Sequence, residues 1–223
     1  MIVDERITAY INSLSLEEIP FLEELEQTAL KNRVPIIRKE TQSLLKMLVQ
    51  MKCPAQILEI GTAVGFSALL MSEYVDPACK ITTIENYEKR IPIARENFQK
   101  AGKEEQITLL PGDAMELLKG LSGPYDFMFL DAAKAQYVYY LPELLRMLPE
   151  GGILVTDNVL QDGNIVQSRF AVERRDRTIH ARMREYLYTI THCEELATSI
   201  LPLGDGVTVS VKKRKLQERK EEQ

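Results

Sequence analysis

The sequence predicts an α/β domain: a doubly wound, mostly parallel seven-stranded sheet, helices on both faces, an antiparallel last strand and helices ahead of the sheet. Three observations predict it. Five short apolar runs alternate with segments of helical periodicity, the pattern produced by right-handed parallel crossovers. Two further β-rich runs near the C-terminal end are separated only by LGDG, too short for a crossover and suited to a hairpin. At 223 residues and 45% hydrophobic content the chain can bury one sizeable core. No internal repeat or Gly/Ser linker divides it, so a single domain over 1–223 is expected.

In order, residues 4–50 read as helical, with Pro35 suited to a first-turn position and Leu44, Leu45 and Leu48 forming a stripe that packs on the sheet. The expected strands are 56–60, 80–85, 106–110, 125–131, 152–157, 194–202 and 206–212. Pro142 is expected to break the segment 135–148 into a short turn and a following helix. Residues 1–50 form a helical extension and 213–223 a basic tail. The apolar positions Ile179, Met183, Tyr186, Leu187 and Ile190 predict a helix that packs one face inward.

Composition narrows the function classes. No run of about 18 apolar residues occurs, and MIVDERITAY carries acids where a secretion signal has bases, so a cytoplasmic protein without a membrane partner is expected. Cys53, Cys79 and Cys193 are odd in number and widely spaced, which argues for reduced thiols and against zinc. The net charge of -5 is acidic. Its distribution is uneven, with seven acids against three bases in residues 1–33 and six bases against three acids in KKRKLQERKEEQ.

Ligands of open parallel sheets bind at the carboxyl ends of the strands, and here all five parallel strands end in or beside a side-chain oxygen, in LEIGTAVGFS, TTIEN, LLPGDAM, FLDAAK and LVTDNV. Gly61 and Gly65 allow a tight strand-to-helix turn and close approach of a ligand to backbone amides, with Ser67 near the helix start. Two glycines alone also suit a plain structural turn. Glu85, 24 residues after Gly61, stands where a carboxylate accepts bonds from a ribose diol. GTAVG lacks the G-x-G-x-x-G spacing that seats a pyrophosphate, so a nucleoside without pyrophosphate fits better than NAD. Asp113 is placed either to accept from a base amine or to cap the helix of AMELLKG.

The motifs ILEIGTAVGFSA, TIE, GDA, FLDAAK and TDNV, in this order and spacing, resemble the class I S-adenosylmethionine-dependent methyltransferases over roughly residues 30–212, and more narrowly the cation-dependent O-methyltransferases that include catechol and caffeoyl-CoA enzymes. With its N-terminal helices and VERRDRTIHARMREYL, the whole chain is similar to the bacterial branch that methylates 5-hydroxyuridine at the tRNA wobble position. The resemblance implies a Rossmann-like methyltransferase fold and S-adenosyl-L-methionine lined by Val34, Glu59, Gly61, Thr62, Ser67, Glu85, Asp113, Ala114 and Asp131. It implies a divalent cation on Asp131, Asp157 and Asn158, Lys134 as catalytic base beside Asp131, and a homodimer.

The residues agree chemically with that implication. Two carboxylates and an amide suit Mg²⁺ or Mn²⁺, and a substrate with two adjacent oxygens can complete the coordination. TDN by itself equally suits an Asx-turn, and Lys134 by itself an exposed loop lysine. For the acceptor, Arg174, Arg175, Arg177, Arg182 and Arg184, extended by Arg169, Lys212 and Lys213, form either a solvated helix face or a phosphate-tracking surface for a tRNA anticodon stem-loop. Tyr137, Tyr139 and Tyr140 are candidates to stack on an extruded base or to pack in the core. The chain has no tryptophan, a residue that walls the ring pocket of catechol-type enzymes. A small catechol or phenol is the alternative acceptor.

Overall fold

The computed structural model describes residues 2–15 and 19–214, so the expected basic tail from Lys215 onward lies outside the described residues. Three helices precede the sheet: α1 (Glu5–Ser13), α2 (Pro20–Lys31) and α3 (Lys39–Lys52). The Asp4 carboxylate caps α1 by accepting from the Arg6 amide. Pro20 opens α2, where a missing N–H costs no helical bond. Pro35 does not take such a position. It lies in the non-helical link 33–38 between α2 and α3, because a proline biases Val34 before it toward extended backbone and Ile37 is buried as an anchor. Leu45 and Leu48 are buried and Leu44 packs beside them, as their spacing predicts.

The strands are β1 (Gln56–Ile60), β2 (Lys80–Glu85), β3 (Ile107–Pro111), β4 (Phe127–Leu130), β5 (Ile153–Thr156), β6 (Leu196–Leu201) and β7 (Val207–Lys212). They form one seven-stranded sheet in the order β3-β2-β1-β4-β5-β7-β6. β1 to β5 are mutually parallel, and β7 runs antiparallel to both its neighbours. The antiparallel strand expected at the edge is therefore one place inside it. β6 crosses to the outside and β7 returns through the gap, so that Thr208 and Ser210 are buried in the sheet while β6 stays half exposed.

Helices α4 (Phe66–Glu73), α5 (Ile91–Lys100), α6 (Ala114–Gly120), α7 (Tyr137–Met147) and α8 (Arg177–Thr191) cover the faces. Alternation along β4 shows why both faces need cover. Phe127 and Phe129 join the core under α2, α3, α4 and α5, whereas Met128 and Leu130 join the core under α6, α7 and α8. All four are buried, each contributing roughly 1.5–3 kcal/mol of apolar burial. Pro142 does not end a helix as expected. A 3-10 turn (Lys134–Gln136) leads into α7, which runs through Pro142; the proline forgoes one main-chain bond in the middle of the helix while Tyr140, Leu141 and Leu144 anchor the surrounding turns in the core. Among the described residues, no helix is long and apolar enough to cross a membrane.

Candidate active site

The strand order reverses between β1 and β4, and a cavity of about 430 Å³ opens at the carboxyl ends of these strands. The turn after β1 is its floor. Gly61, at φ 106°, brings the chain so close to β4 that a Cβ would overlap the Asp131 carbonyl oxygen. Its amide and that of Thr62 both donate to Ile84 O, tying the turn to β2. Gly65, at φ 87°, starts α4 against the Phe98 ring.

Glu85 closes one side. Its carboxylate accepts from the Ala63 amide at 2.7 Å and the Tyr87 amide at 2.8 Å, so the group is oriented before any ligand arrives. Asn86, Tyr87 and Arg90 continue that wall, and the Arg90 guanidinium lies over the Tyr87 ring at 5.2 Å. Gly112, whose amide donates to Glu85 O at 2.9 Å, lines the cavity beside it, as do Ala114 and Tyr140.

Beneath the floor sits Glu59, fully buried and outside the cavity wall. It accepts from the Ser67 and Thr83 hydroxyls, and Thr83 also meets the Thr62 hydroxyl at 2.6 Å. Burial pushes the Glu59 carboxyl up to about 7, against the opposing pull of those two hydroxyls. Ser67 and Thr62 themselves line the cavity.

At the other end, Asp131 follows β4 and Asp157 and Asn158 follow β5, where Leu130 and Thr156 are register partners. The Asn158 side-chain amide donates to Asp131 at 2.8 Å, and the Asn158 backbone amide donates to Asp157 at 2.7 Å. Asn158 adopts φ 64°, a left-handed conformation that turns its side chain back toward the strand end. Burial raises the pKa of both carboxyls, favouring their protonated forms. For Asp131 the Lys134 charge opposes this, and for Asp157 the nearby Asp131 charge adds to it. Lys134 opens the 3-10 turn and lines the same cavity. Tyr137 braces the corner from below, its hydroxyl donating to Ala132 O and Asp157 O and its ring packed edge-on against Tyr186.

This donor set fits a hard divalent cation: a buried carboxylate, Asp157, and a half-buried one, Asp131, that repel one another, and an amide whose Nδ2 is engaged, leaving Oδ1 to offer. Among the described residues no group of three or more His, Cys, Asp or Glu side chains forms a metal site, so Asp131, Asp157 and Asn158 would depend on oxygens from water or acceptor to complete a shell.

The structure brings Gly61, Thr62, Ser67, Glu85, Ala114, Asp131, Lys134, Asp157 and Asn158 to one cavity. Glu59 lies one layer below. Val34 adjoins Pro35, Ile36, Ile37 and Arg38, which line the cavity, while its own side chain packs on the core. Asp113 is exposed and caps α6 through the Met115 amide at 2.8 Å. The basic residues divide. Arg182 donates to Ala135 O and stacks over Tyr139, so it sits beside the turn that carries Lys134, whereas Arg184 donates to Ile165 O in the segment that follows Asn158. Arg177 donates to the Val172 and Phe170 carbonyls, Arg175 pairs with Glu173 and Asp176, and Arg169 and Arg174 are exposed. Lys212 and Lys213 do not extend this group: they follow the end of β7 that pairs with the start of β5, at the opposite end of the sheet from the cavity. Of the tyrosines, Tyr137 is buried, Tyr140 lines the wall and Tyr139 is exposed. Sequence reasoning missed Arg38, Arg90, Tyr87 and Asp205. Asp205 was visible only as a turn residue, and Arg38 carries no local signal.

Comparison with known proteins agrees with this geometry. The O-methyltransferase family model matches residues 12–213. The tapetum-specific methyltransferase 1 of Arabidopsis thaliana is 30% identical over 169 residues, 74% of this chain and 72% of that protein. A catechol O-methyltransferase of Mycobacterium tuberculosis is 35% identical over 112 residues, 50% of this chain and 51% of that one. Among solved structures, one described as a putative caffeoyl-CoA O-methyltransferase from Staphylococcus aureus superposes with a TM-score of 0.86 at 30% identity, covering 94% of this chain and 100% of that chain. An SAH-bound methyltransferase from Podospora anserina reaches 0.85 at 27% identity, covering 94% and 95%. The chain belongs to the O-methyltransferase family of S-adenosylmethionine-dependent enzymes, of the catechol and caffeoyl-CoA type.

Proposed function

We propose that the chain transfers the methyl group of S-adenosylmethionine to one of two adjacent oxygens on a planar ring, with 5-hydroxyuridine at the tRNA wobble position as the acceptor and 5-methoxyuridine as the product. The observation that carries the reaction is the convergence of Asp131, Asp157, Asn158 and Lys134 on the cavity whose other end holds the pre-oriented Glu85. Glu85 holds the ribose of the cofactor, and Gly61 and Thr62 let the methionine portion lie close to the main chain. Mg²⁺ or Mn²⁺ on Asp131, Asp157 and Asn158 would bind both acceptor oxygens and acidify the reacting hydroxyl. Lys134 Nζ, in its unprotonated amine form, takes the proton from that hydroxyl and becomes the ammonium. The oxygen then forms its bond to the methyl carbon as the carbon–sulfur bond breaks, leaving S-adenosylhomocysteine. The two ends of the cavity hold donor and acceptor in line, which is where most of the rate advantage of a transfer without covalent intermediate arises.

The tRNA acceptor is supported by the surface beside Lys134. Arg182 lies over the exposed Tyr139 ring there, and the neighbouring segment presents Arg169, Arg174 and an 85% exposed Phe170, groups suited to phosphates and unstacked bases. A small catechol is the second reading, favoured by the names of relatives from Mycobacterium tuberculosis and Niastella koreensis, both catechol O-methyltransferases. Nucleoside mass spectrometry of tRNA from cells lacking the protein separates them. Accumulated 5-hydroxyuridine with loss of 5-methoxyuridine supports the tRNA acceptor, and unchanged tRNA nucleosides refute it. With purified enzyme, tRNA methylation should fall steeply with salt while catechol methylation should not.

A further inference from the structure

Three segments far apart in sequence meet at the acceptor end of the cavity through one side chain. Arg38 ends the link 33–38, whose residues Pro35, Ile36, Ile37 and Arg38 all line the cavity. Its guanidinium donates to Asp162 at 3.0 and 3.3 Å and pairs with Asp205, which also lines the cavity. Asp162 belongs to the segment that follows Asn158. That segment is conformationally costly: Asn158, Gln161 and Asp162 have φ values of 64°, 50° and 54°, which residues other than glycine seldom adopt. Main-chain bonds hold it at one side, from Val159 N to Gly206 O and from Leu160 N to Asp205 O, both at 2.9 Å, with Val159 buried in the core. Gly206 permits the contact, since a Cβ there would overlap Leu160.

We propose that Arg38 is a positioning residue, a latch that closes the 33–38 link over the cofactor and in the same contact holds the strained 158–163 segment that presents Asn158. The latch is ionic and partly open to water, with Arg38 37% and Asp162 45% exposed, so it is strong enough to bias the closed arrangement and weak enough to release for exchange of cofactor. It couples occupancy of one end of the cavity to the geometry of the other. This rests on S-adenosylmethionine binding in the cavity and not on the identity of the acceptor.

The test uses the full chain with S-adenosylhomocysteine and compares Arg38→Met, Arg38→Lys and Asp162→Asn with the wild type. Two readouts are independent of turnover: the dissociation rate of labelled S-adenosylhomocysteine, and amide hydrogen exchange resolved by segment. Arg38→Met is expected to raise the dissociation rate roughly two- to fivefold, the range for loss of a partly exposed ion pair. It should also speed exchange in 33–38 and 158–163 together, with β1 and α4 unchanged. Arg38→Lys, which keeps the charge without the fork, should fall between it and the wild type. Asp162→Asn removes one partner without altering the core, so it decides the matter even if Arg38→Met folds poorly. Faster exchange in 33–38 alone, or an unchanged dissociation rate in Asp162→Asn, overturns the proposal.

Discussion

The two ends of the cavity are built by different means. At the cofactor end, Gly61, Thr62 and Glu85 stand at the carboxyl ends of β1 and β2 and Ser67 at the start of α4; main-chain partners fix Glu85 and the Gly61 and Thr62 amides, and the buried side chains of Glu59 and Thr83 fix the Ser67 and Thr62 hydroxyls. At the acceptor end only Asp131, Asp157 and Asn158 are strand-end residues. The remainder comes from the 3-10 turn that carries Lys134, the 33–38 link, the 158–163 segment and the β6–β7 turn; main-chain bonds join the last two, and Arg38 ties the link to both by charge. A sheet sets the position of the first end for any sequence with this topology. The second end has no such scaffold and is where acceptor preference can change without disturbing the fold.

The largest expected effect breaks the acceptor end chemically. Lys134→Ala should lower turnover by a factor on the order of 10²–10⁴ while leaving the affinity for S-adenosylmethionine nearly intact, as measured by single-turnover kinetics and equilibrium dialysis. Unchanged turnover would remove Lys134 from the reaction. Glu85→Ala is the corresponding break at the cofactor end. It deletes a charged acceptor worth roughly 1.5–3 kcal/mol, so cofactor binding should weaken by about one to two orders of magnitude. The rate at saturating cofactor should change far less. If both variants shifted the same parameter, the division of the cavity into two ends would be wrong.

The same division explains what the sequence made legible. Five strands, their parallel order and the oxygen at each carboxyl end follow from local patterning, because period-two burial and short turns are written in adjacent residues. β4 is the plainest case, with FMFL buried on both faces and Asp131 emerging from its end. Arg38 is illegible for the opposite reason: its partners Asp162 and Asp205 are 124 and 167 residues away, and no periodicity links them. Lys212 and Lys213 illustrate the complementary error. They are close to the α8 arginines in charge and chain order, yet antiparallel β7 carries them to the far end of the sheet. Pro142 was read by propensity, which tertiary anchoring of α7 overrides.

Glu59 supports the cofactor end from one layer below, and its burial there has a cost in stability that depends on pH. Its carboxyl is pushed up to about 7 by burial, from 4.5 in the unfolded chain. Between those two values the folded protein retains a proton that the unfolded chain has released. The folded state therefore binds more protons, and stability falls as pH rises across the window, by at most about 1.4 kcal/mol per pH unit for one group. Below pH 4.5 both states are protonated and Glu59 imposes no slope; above 7 both are ionised and the cost is constant. Asp131 and Asp157 contribute slopes of the same sign, so the informative quantity is a difference between variants. Glu59→Gln keeps an acceptor for one of the Ser67 and Thr83 hydroxyls, offers an N–H donor to the other, as the protonated carboxyl offers its O–H, and removes the titration. Denaturant unfolding at pH 5, 6, 7 and 8 should show the variant gaining stability relative to the wild type as pH rises to 7 and no further. Parallel curves would mean that the Glu59 proton is not retained on folding, and that the two hydroxyls are hydrogen-bonded to a carboxylate held ionised in the core.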